Sequence, residues 1–297
     1  MIDRLKRGAR FYREHGGIEL LKLLAQKLLG RFYNGLWLSR LADVISRNRL
    51  PDFLVRLCPV AVNQAWAARA LAMDRLASRF LDRPFTALEI GTWFGAGSTL
   101  IWSKYLKPGS KLFLCDTWTQ YLTADDAKAA PAYRLMNNLY HVAINSTLKN
   151  VYDQERKTGG EIVLIRGSGS RVMEFMKPGS FDLIYIDGSH YYEDVRRDIE
   201  LAKSLVKDGG CICGDDLEIS PPAPDAMTLA RQHISKDFVY ETLPDGKPAH
   251  FHPGVLLAVS EHFSTVNHDH GFWWVWSANG NWTVNAPTST RAAHAPT

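Results

Sequence analysis

The chain has 297 residues, of which 46% are hydrophobic and 22% charged, a composition typical of a soluble globular protein. So much apolar surface excludes a chain that is disordered throughout, and no run of about 18 apolar residues predicts a membrane-spanning helix. Four scattered cysteines are too few for a disulfide scaffold. The first residues are charged and lack the apolar segment of a secretory signal, so we expect a cytoplasmic protein.

The charge is divided unevenly along the chain. Residues 1–80 contain 15 Lys/Arg and 6 Asp/Glu, whereas the remainder contains 20 and 25. Leucines recur at helical spacing in this basic part, and residues 18–33 have a Leu-rich face edged by Lys and Arg. We predict a helical N-terminal region over 1–80 that packs on the acidic remainder or on a second subunit, which gives a homo-oligomer. Contact with an anionic membrane surface is the alternative, and no nucleic-acid partner is expected.

From residue 86 onward, short apolar runs alternate with helical patterns. The predicted strands are 86–91, 111–118, 161–167, 181–187 and 209–216. Uniformly apolar strands are typical of a parallel sheet buried on both faces, and helices between them indicate a doubly wound α/β domain. We place this domain at 81–285. A helix over 252–263 and a hairpin turning at Asn279-Gly280 complete it, and residues 286–297 are predicted to be a disordered tail.

The predicted strands end in residues suited to binding a ligand. The first is followed by Gly91, Gly95 and Gly97, which allow close approach of the backbone to a ligand. Their spacing differs from the G-x-G-x-x-G pattern of dinucleotide-binding loops, and the preceding acid, Glu89, suits an ammonium group. Asp116, at the end of the second strand, could accept the hydroxyls of a ribose or cap the next turn. Because the carboxyl ends of parallel strands meet at one edge, these residues predict one ligand site.

Three acids end the fourth and fifth strands: Asp187, Asp215 and Asp216. Two carboxylates about 4 Å apart repel by roughly 4 kcal/mol at an effective dielectric constant of 20, so a raised pKa, an arginine or a cation must offset the repulsion. Oxygen ligands favour Mg²⁺, with Mn²⁺ or Ca²⁺ as alternatives, unless Asp216 instead caps a helix. His190 lies three residues after Asp187, where an imidazole can take a proton from a hydroxyl or support its own loop.

Half of the ten histidines lie between residues 250 and 270. His250 and His252 directly precede the helix that begins near Pro253, and we regard them as candidates for contact with the substrate. The other three, at 262, 268 and 270, are not expected to converge on one metal ion.

Taken together, these motifs resemble those of the class I S-adenosylmethionine-dependent methyltransferases. The resemblance covers about 86–216, with the helix at 252–263 and the strand around 273–276, and it is most specific at Asp187-Gly188-Ser189-His190 with the later Gly209-Gly210 and Asp215-Asp216. The most similar branch is that of bacterial small-molecule and sugar O-methyltransferases, namely the macrolide-sugar, rhamnosyl and cephalosporin-hydroxylase-like enzymes.

This resemblance implies a Rossmann-like, seven-stranded sheet whose last strand is antiparallel. It places the methionine part of the cofactor over Gly91–Gly95, the ribose on Asp116 and the adenine near Ser168. The implied cofactor-binding set is Glu89, Gly91, Thr92, Gly95, Ser98, Asp116, Gly167, Ser168 and Asp187. The implied magnesium ligands are Asp187, Asp215 and Asp216, and the catalytic candidates are His190, Asp187 and His252.

We therefore expect a metal-assisted O-methyltransferase that acts on a hydroxyl of a small molecule or sugar in bacterial glycan or secondary-metabolite biosynthesis. Residues 217–251 form an insertion relative to the family, and they are, with the basic region, candidates for substrate choice. One alternative is a nicotinamide-dependent oxidoreductase on the same fold, which the glycine spacing disfavours. A non-catalytic binding or assembly protein is a second alternative, which the intact acids and His190 disfavour.

Overall fold

A computed structural model describes residues 67–129, 139–243, 246 and 248–286, together with a few positions between 12 and 25. Most of the predicted N-terminal helices and nearly all of the predicted tail lie outside the described residues. Helix α1 (Ala67–Phe80) confirms the last of those N-terminal helices. No helix in the described part of the chain is both long and apolar enough to cross a membrane.

The chain divides into two compact units, of which the first comprises residues 1–84 and 92–166. After α1 it contains α2 (Ser98–Ser103), β2 (Lys111–Asp116), α3 (Asp126–Ala129), α4 (Tyr140–Thr158) and β3 (Glu161–Arg166). The two strands pair in parallel along their whole length. Helix α4 ends at Gly159, whose left-handed φ of 71° and N–H bond to the Glu155 carbonyl form a common helix C-terminus.

The second unit comprises residues 85–91 and 167–297. It begins with β1 (Thr86–Ile90), α5 (Gly169–Met173), β4 (Phe181–Ile186), α6 (Tyr192–Leu205) and β5 (Val206–Gly214). It continues with α7 (Pro224–Gln232), β6 (Val239–Thr242), β7 (Pro248–Phe251), α8 (Pro253–His262), β8 (Asn267–Asp269), β9 (Phe272–Ala278) and β10 (Asn281–Thr283).

The strands of the second unit form a mixed sheet in the order β10-β9-β5-β4-β1, with β8 beside β9. Strand β4 is parallel to both β1 and β5, whereas β9 is antiparallel to β5. Ile90 pairs with Ile186, and Ile186 with Gly214, so the carboxyl ends of three neighbouring strands are level. The predicted α/β class, with parallel strands and a late antiparallel strand, is confirmed.

Burial explains why these apolar runs become strands. Both faces of β1, β4 and β5 are packed, since Ala87, Leu88, Leu183, Ile184 and Ile212 are all fully buried. The predicted hairpin is also confirmed, because Asn279 and Gly280 have φ angles of 52° and 76° in the turn between β9 and β10, as a type I′ turn requires. The short polar strands β7 and β8 were not predicted, because neither contains an apolar run.

Candidate active site

In the first unit, the loop after β1 is organised by the carboxylate of Asp116. Its Oδ2 accepts the N–H groups of Thr92 at 2.8 Å and Trp93 at 2.7 Å, and its Oδ1 accepts the N–H of Trp118 at 2.7 Å. Burial raises the pKa of the Asp116 carboxyl, and these donors oppose the rise because they stabilise the anion. The bond to Trp118 is the turn-capping contact that the sequence allowed, and the ribose contact stays a prediction.

Two tryptophans in this region adopt a backbone conformation that is rare for bulky residues. The φ angles are 50° for Trp93 and 43° for Trp118. The indole N–H of Trp118 and the hydroxyl of Thr147 both donate to the carbonyl of Trp93, at 2.9 and 2.8 Å. The amide of Asn150 donates to the next two carbonyls, those of Phe94 and Gly95. Side chains from helix α4 therefore hold the strained loop in one conformation.

We predict that Thr147→Val lowers the free energy of unfolding by about 1–2 kcal/mol, because it leaves the Trp93 carbonyl with one donor fewer. Thr147 is fully buried, and valine matches its shape. The control is Thr158→Val, since the Thr158 hydroxyl bonds only near the end of its own helix, to the carbonyl of Gln154 and the N–H of Gly160. Urea unfolding of both variants measures the effect, and equal losses would show that the loop contact stabilises nothing.

The predicted ligands in this loop occupy different environments. Thr92 and Ser98 are buried. The Thr92 hydroxyl has no hydrogen-bond partner among the described residues. Gly95 has a φ of 62°, and a Cβ added there would lie 3.1 Å from Thr147, so a larger residue would press on helix α4.

Apart from Asp187, four residues of the predicted cofactor set belong to the second unit: Glu89, Gly91, Gly167 and Ser168. Glu89 is fully buried on β1. Gly91 has a φ of 87°, and a Cβ added there would lie 1.9 Å from the carbonyl oxygen of Asp187. Gly167 and Ser168 precede helix α5, and the carboxylate of Asp198 lies close to Gly169 at the start of that helix.

A buried tyrosine lies between two of the predicted acids. The Tyr185 hydroxyl donates to Oδ2 of Asp187 at 3.0 Å and lies 3.3 Å from Oδ2 of Asp215. Oδ1 of Asp215 accepts the N–H of Asp216 at 2.8 Å. Tyr185 was missed because it reads as one more apolar residue of β4, although its spacing of two from Asp187 places both on one face of an extended chain.

His190 lies between two carboxylates. Its Nε2 is 3.0 Å from Oδ2 of Asp216, and its Nδ1 is 3.0 Å from Oδ1 of Asp237. Burial lowers the pKa of His190, but the attraction of Asp237 and Asp216 outweighs it and holds the pKa well above its usual value. Both ring nitrogens of His190 therefore face a carboxylate, and the two negative charges favour the protonated ring.

His252 lies beside His190. The centroids of the two rings are 4.2 Å apart, and Nδ1 of His252 is 2.9 Å from Oε1 of Glu218. A Cβ added to Gly254 would lie 2.2 Å from the carbonyl oxygen of His190, so the first turn of α8 packs directly on the loop that carries His190.

The remaining histidines of this stretch contact different neighbours. His250 packs against Tyr240. His262 contacts Lys203, His268 contacts the carbonyl of Leu217, and His270 contacts Asp269.

Acids and histidines of the second unit form overlapping groups with metal-ligand spacing. Three such groups have their ligand atoms within 4.8 Å of one another: Asp187 with His190 and Asp216, Asp216 with Glu218 and His252, and His190 with Asp237 and His252. Asp215 belongs to none of these groups in the described part of the chain. Of the predicted trio, Asp187 and Asp216 share a group, whereas Asp215 contacts the Tyr185 hydroxyl and the N–H of Asp216. The magnesium ligands stay a prediction.

The central segment of the chain is similar to known proteins. Residues 88–217 match a family model described as a methyltransferase domain. "O-methyltransferase ankF" of Aspergillus thermomutatus is 29% identical over 162 residues, which cover 54% of this chain and 52% of that protein. The chain thus spans about half the length of this relative.

Two solved structures are also similar in part. An O-methyltransferase family protein from Burkholderia thailandensis is 14% identical with a TM-score of 0.38, covering 71% of this chain and 59% of its own. An S-adenosylmethionine-dependent methyltransferase from Methanosarcina mazei is 12% identical with a TM-score of 0.38, covering 67% and 93%. On the family match, residues 88–217 are similar to a methyltransferase domain.

Proposed function

We propose that the protein is an S-adenosylmethionine-dependent O-methyltransferase that acts on a hydroxyl of a small molecule or sugar. The observation that carries the proposal is the family match over residues 88–217, which includes Asp116, Asp187 and His190. The name of the Aspergillus relative supports oxygen as the accepting atom. The resemblance of the motifs to bacterial sugar and small-molecule enzymes supports a role in glycan or secondary-metabolite biosynthesis.

Methyl transfer to a hydroxyl requires the protein to position the two substrates and to remove a proton. The methyl group of the cofactor is already activated by its sulfonium, so the protein must hold the acceptor oxygen in line with it. We assign the ribose hydroxyls to Asp116. Its carboxylate stands at the end of β2, where the resemblance of the motifs places the ribose.

We assign proton uptake from the acceptor to the cluster of Asp187, His190 and His252. These residues combine imidazole and carboxylate groups within hydrogen-bonding distance of their neighbours, as general acid–base chemistry requires. No step is assigned to magnesium, because Asp215 is turned to other partners.

The basic region 1–80 is proposed to pack on the acidic remainder or on a second subunit, because opposite net charges favour association. We expect deletion of residues 1–34 to reduce the molecular mass in solution or the solubility. If the intact protein instead sediments with anionic vesicles, and the deletion abolishes this without changing the mass, the membrane alternative is correct.

The activity is tested with the full chain, S-adenosylmethionine and a panel of hydroxylated small molecules and sugars. We expect formation of S-adenosylhomocysteine that depends on an acceptor and is detected by mass spectrometry. Asp116→Ala should reduce cofactor affinity about 10-fold or more, since one charge-assisted bond contributes about 1.5–3 kcal/mol. Cofactor binding without product on any acceptor would favour a non-catalytic binding protein.

A further inference from the structure

We propose that His190, Asp237 and His252 form a binding site for a divalent transition-metal ion, with Zn²⁺ and Co²⁺ as suitable ions. All three residues lie in the second unit, near the end of β4, before β6 and before α8. This site differs from the predicted magnesium trio in position and in ligand type. Its existence does not depend on the proposed methyltransferase activity.

The spacing of the three side chains suits a shared ion. One ligand atom from each lies within 4.8 Å of the other two, and Nδ1 of His190 is 3.0 Å from Oδ1 of Asp237. Ligands bonded to a tetrahedral zinc at about 2.0–2.1 Å are roughly 3.3 Å apart. Small side-chain movements are therefore enough to place an ion between them.

The carboxylate of Asp237 provides the second, independent observation. Its side chain is only 1% exposed, and Oδ1 contacts His190 while the buried Oδ2 has no hydrogen-bond partner. An unsatisfied buried carboxylate oxygen is costly, and a cation bound by this carboxylate would offset that cost.

The outer contacts of both histidines match those of metal ligands. A ligating histidine usually holds its second ring nitrogen against a carboxylate or a carbonyl. Nδ1 of His252 contacts Glu218, which leaves Nε2 for an ion. Nε2 of His190 contacts Asp216, which leaves Nδ1 on the side of Asp237.

The ligand types decide which ions fit. Imidazole nitrogens favour zinc and other late transition metals, whereas Mg²⁺ prefers oxygen ligands and retains its water. A bound ion makes His190 a ligand, so the proton of an acceptor hydroxyl would then go to Asp187 or Asp216; this consequence alone rests on the proposed function.

Cobalt binding to the full, untagged chain tests the site after metal is stripped with a chelator. We expect one Co²⁺ per chain and visible absorption bands typical of nitrogen ligation, with displacement by Zn²⁺ and none by a large excess of Mg²⁺. His252→Gln and Asp237→Asn should each lower the affinity at least about 10-fold. His270→Gln is the control, since this exposed histidine contacts Asp269 and belongs to none of the three groups found among the described residues.

Absence of stoichiometric Co²⁺ binding by the wild-type chain would overturn the proposal, even if the variants fail to fold. Unchanged Co²⁺ binding by both site variants, when circular dichroism shows that they are folded, would also overturn it. Full displacement of Co²⁺ by Mg²⁺ would do the same. A separate titration with S-adenosylhomocysteine distinguishes this failure from failure of the proposed function, because none of the three proposed metal ligands belongs to the predicted cofactor-binding set.

Discussion

Gly91→Ala is expected to lower the free energy of unfolding by more than about 4 kcal/mol, a loss that single substitutions rarely reach. A Cβ at this position would lie 1.9 Å from the carbonyl oxygen of Asp187 and 2.3 Å from its carbonyl carbon. Both are backbone atoms, and the N–H of Asp187 donates to the carbonyl of Ile90. The clash cannot be relieved without separating the ends of β1 and β4.

Gly179→Ala separates this clash from the cost of the backbone conformation. Gly179 also has a left-handed φ, 63°, but nothing lies within 4 Å of an added Cβ. We expect its replacement to cost about 1–2 kcal/mol. Urea unfolding of the two variants measures these changes. Similar losses in the free energy of unfolding would show that the close packing of Gly91 against Asp187 does not limit the residue at this position.

Asp198→Asn is expected to stabilise the protein by an amount that grows with pH. Asp198 is 5% exposed, and burial, with the nearby charge of Asp194, raises its pKa from 3.8 to about 7. A carboxyl group whose pKa is higher in the folded state stabilises that state in its protonated form. Its contribution to the free energy of unfolding is therefore complete below the pKa of the unfolded state, and it is lost as the pH rises through the pKa of the folded state. A pKa rise of this size corresponds to about 4 kcal/mol in the free energy of unfolding.

Unfolding of the wild type and of Asp198→Asn, measured from pH 4 to pH 8, tests this linkage. The difference between the two proteins in the free energy of unfolding should be small near pH 4 and should approach its full size above pH 7. Asp153→Asn, which alters an exposed pair with Lys149, should follow the wild type at every pH. A constant difference between Asp198→Asn and the wild type would contradict the raised pKa.

The strands and their ligand-bearing ends could be predicted because both depend on local sequence. An uninterrupted apolar run predicts a buried strand wherever the chain later goes, and a residue that directly follows such a strand must lie at the edge of the sheet. Gly91, Asp187 and His190 were found in this way.

The partners of these residues could not be predicted, because tertiary packing brings them together. Asp237 lies 47 residues after His190 in a segment without a recognisable motif. Asp215 and Asp216 are adjacent, and the sequence allowed Asp216 to turn away and cap a helix, but a φ of 58° at Asp216 directs the two side chains to different partners. One of them contacts Tyr185 and the other contacts His190.

Calorimetric titration of the full chain with S-adenosylhomocysteine, beside a titration with NAD, tests the central claim most directly. We predict one site for S-adenosylhomocysteine, no heat of binding for NAD, and an affinity about 10-fold or more lower in Asp116→Ala. Binding of NAD with no binding of S-adenosylhomocysteine would contradict the assignment and favour a nicotinamide-dependent oxidoreductase.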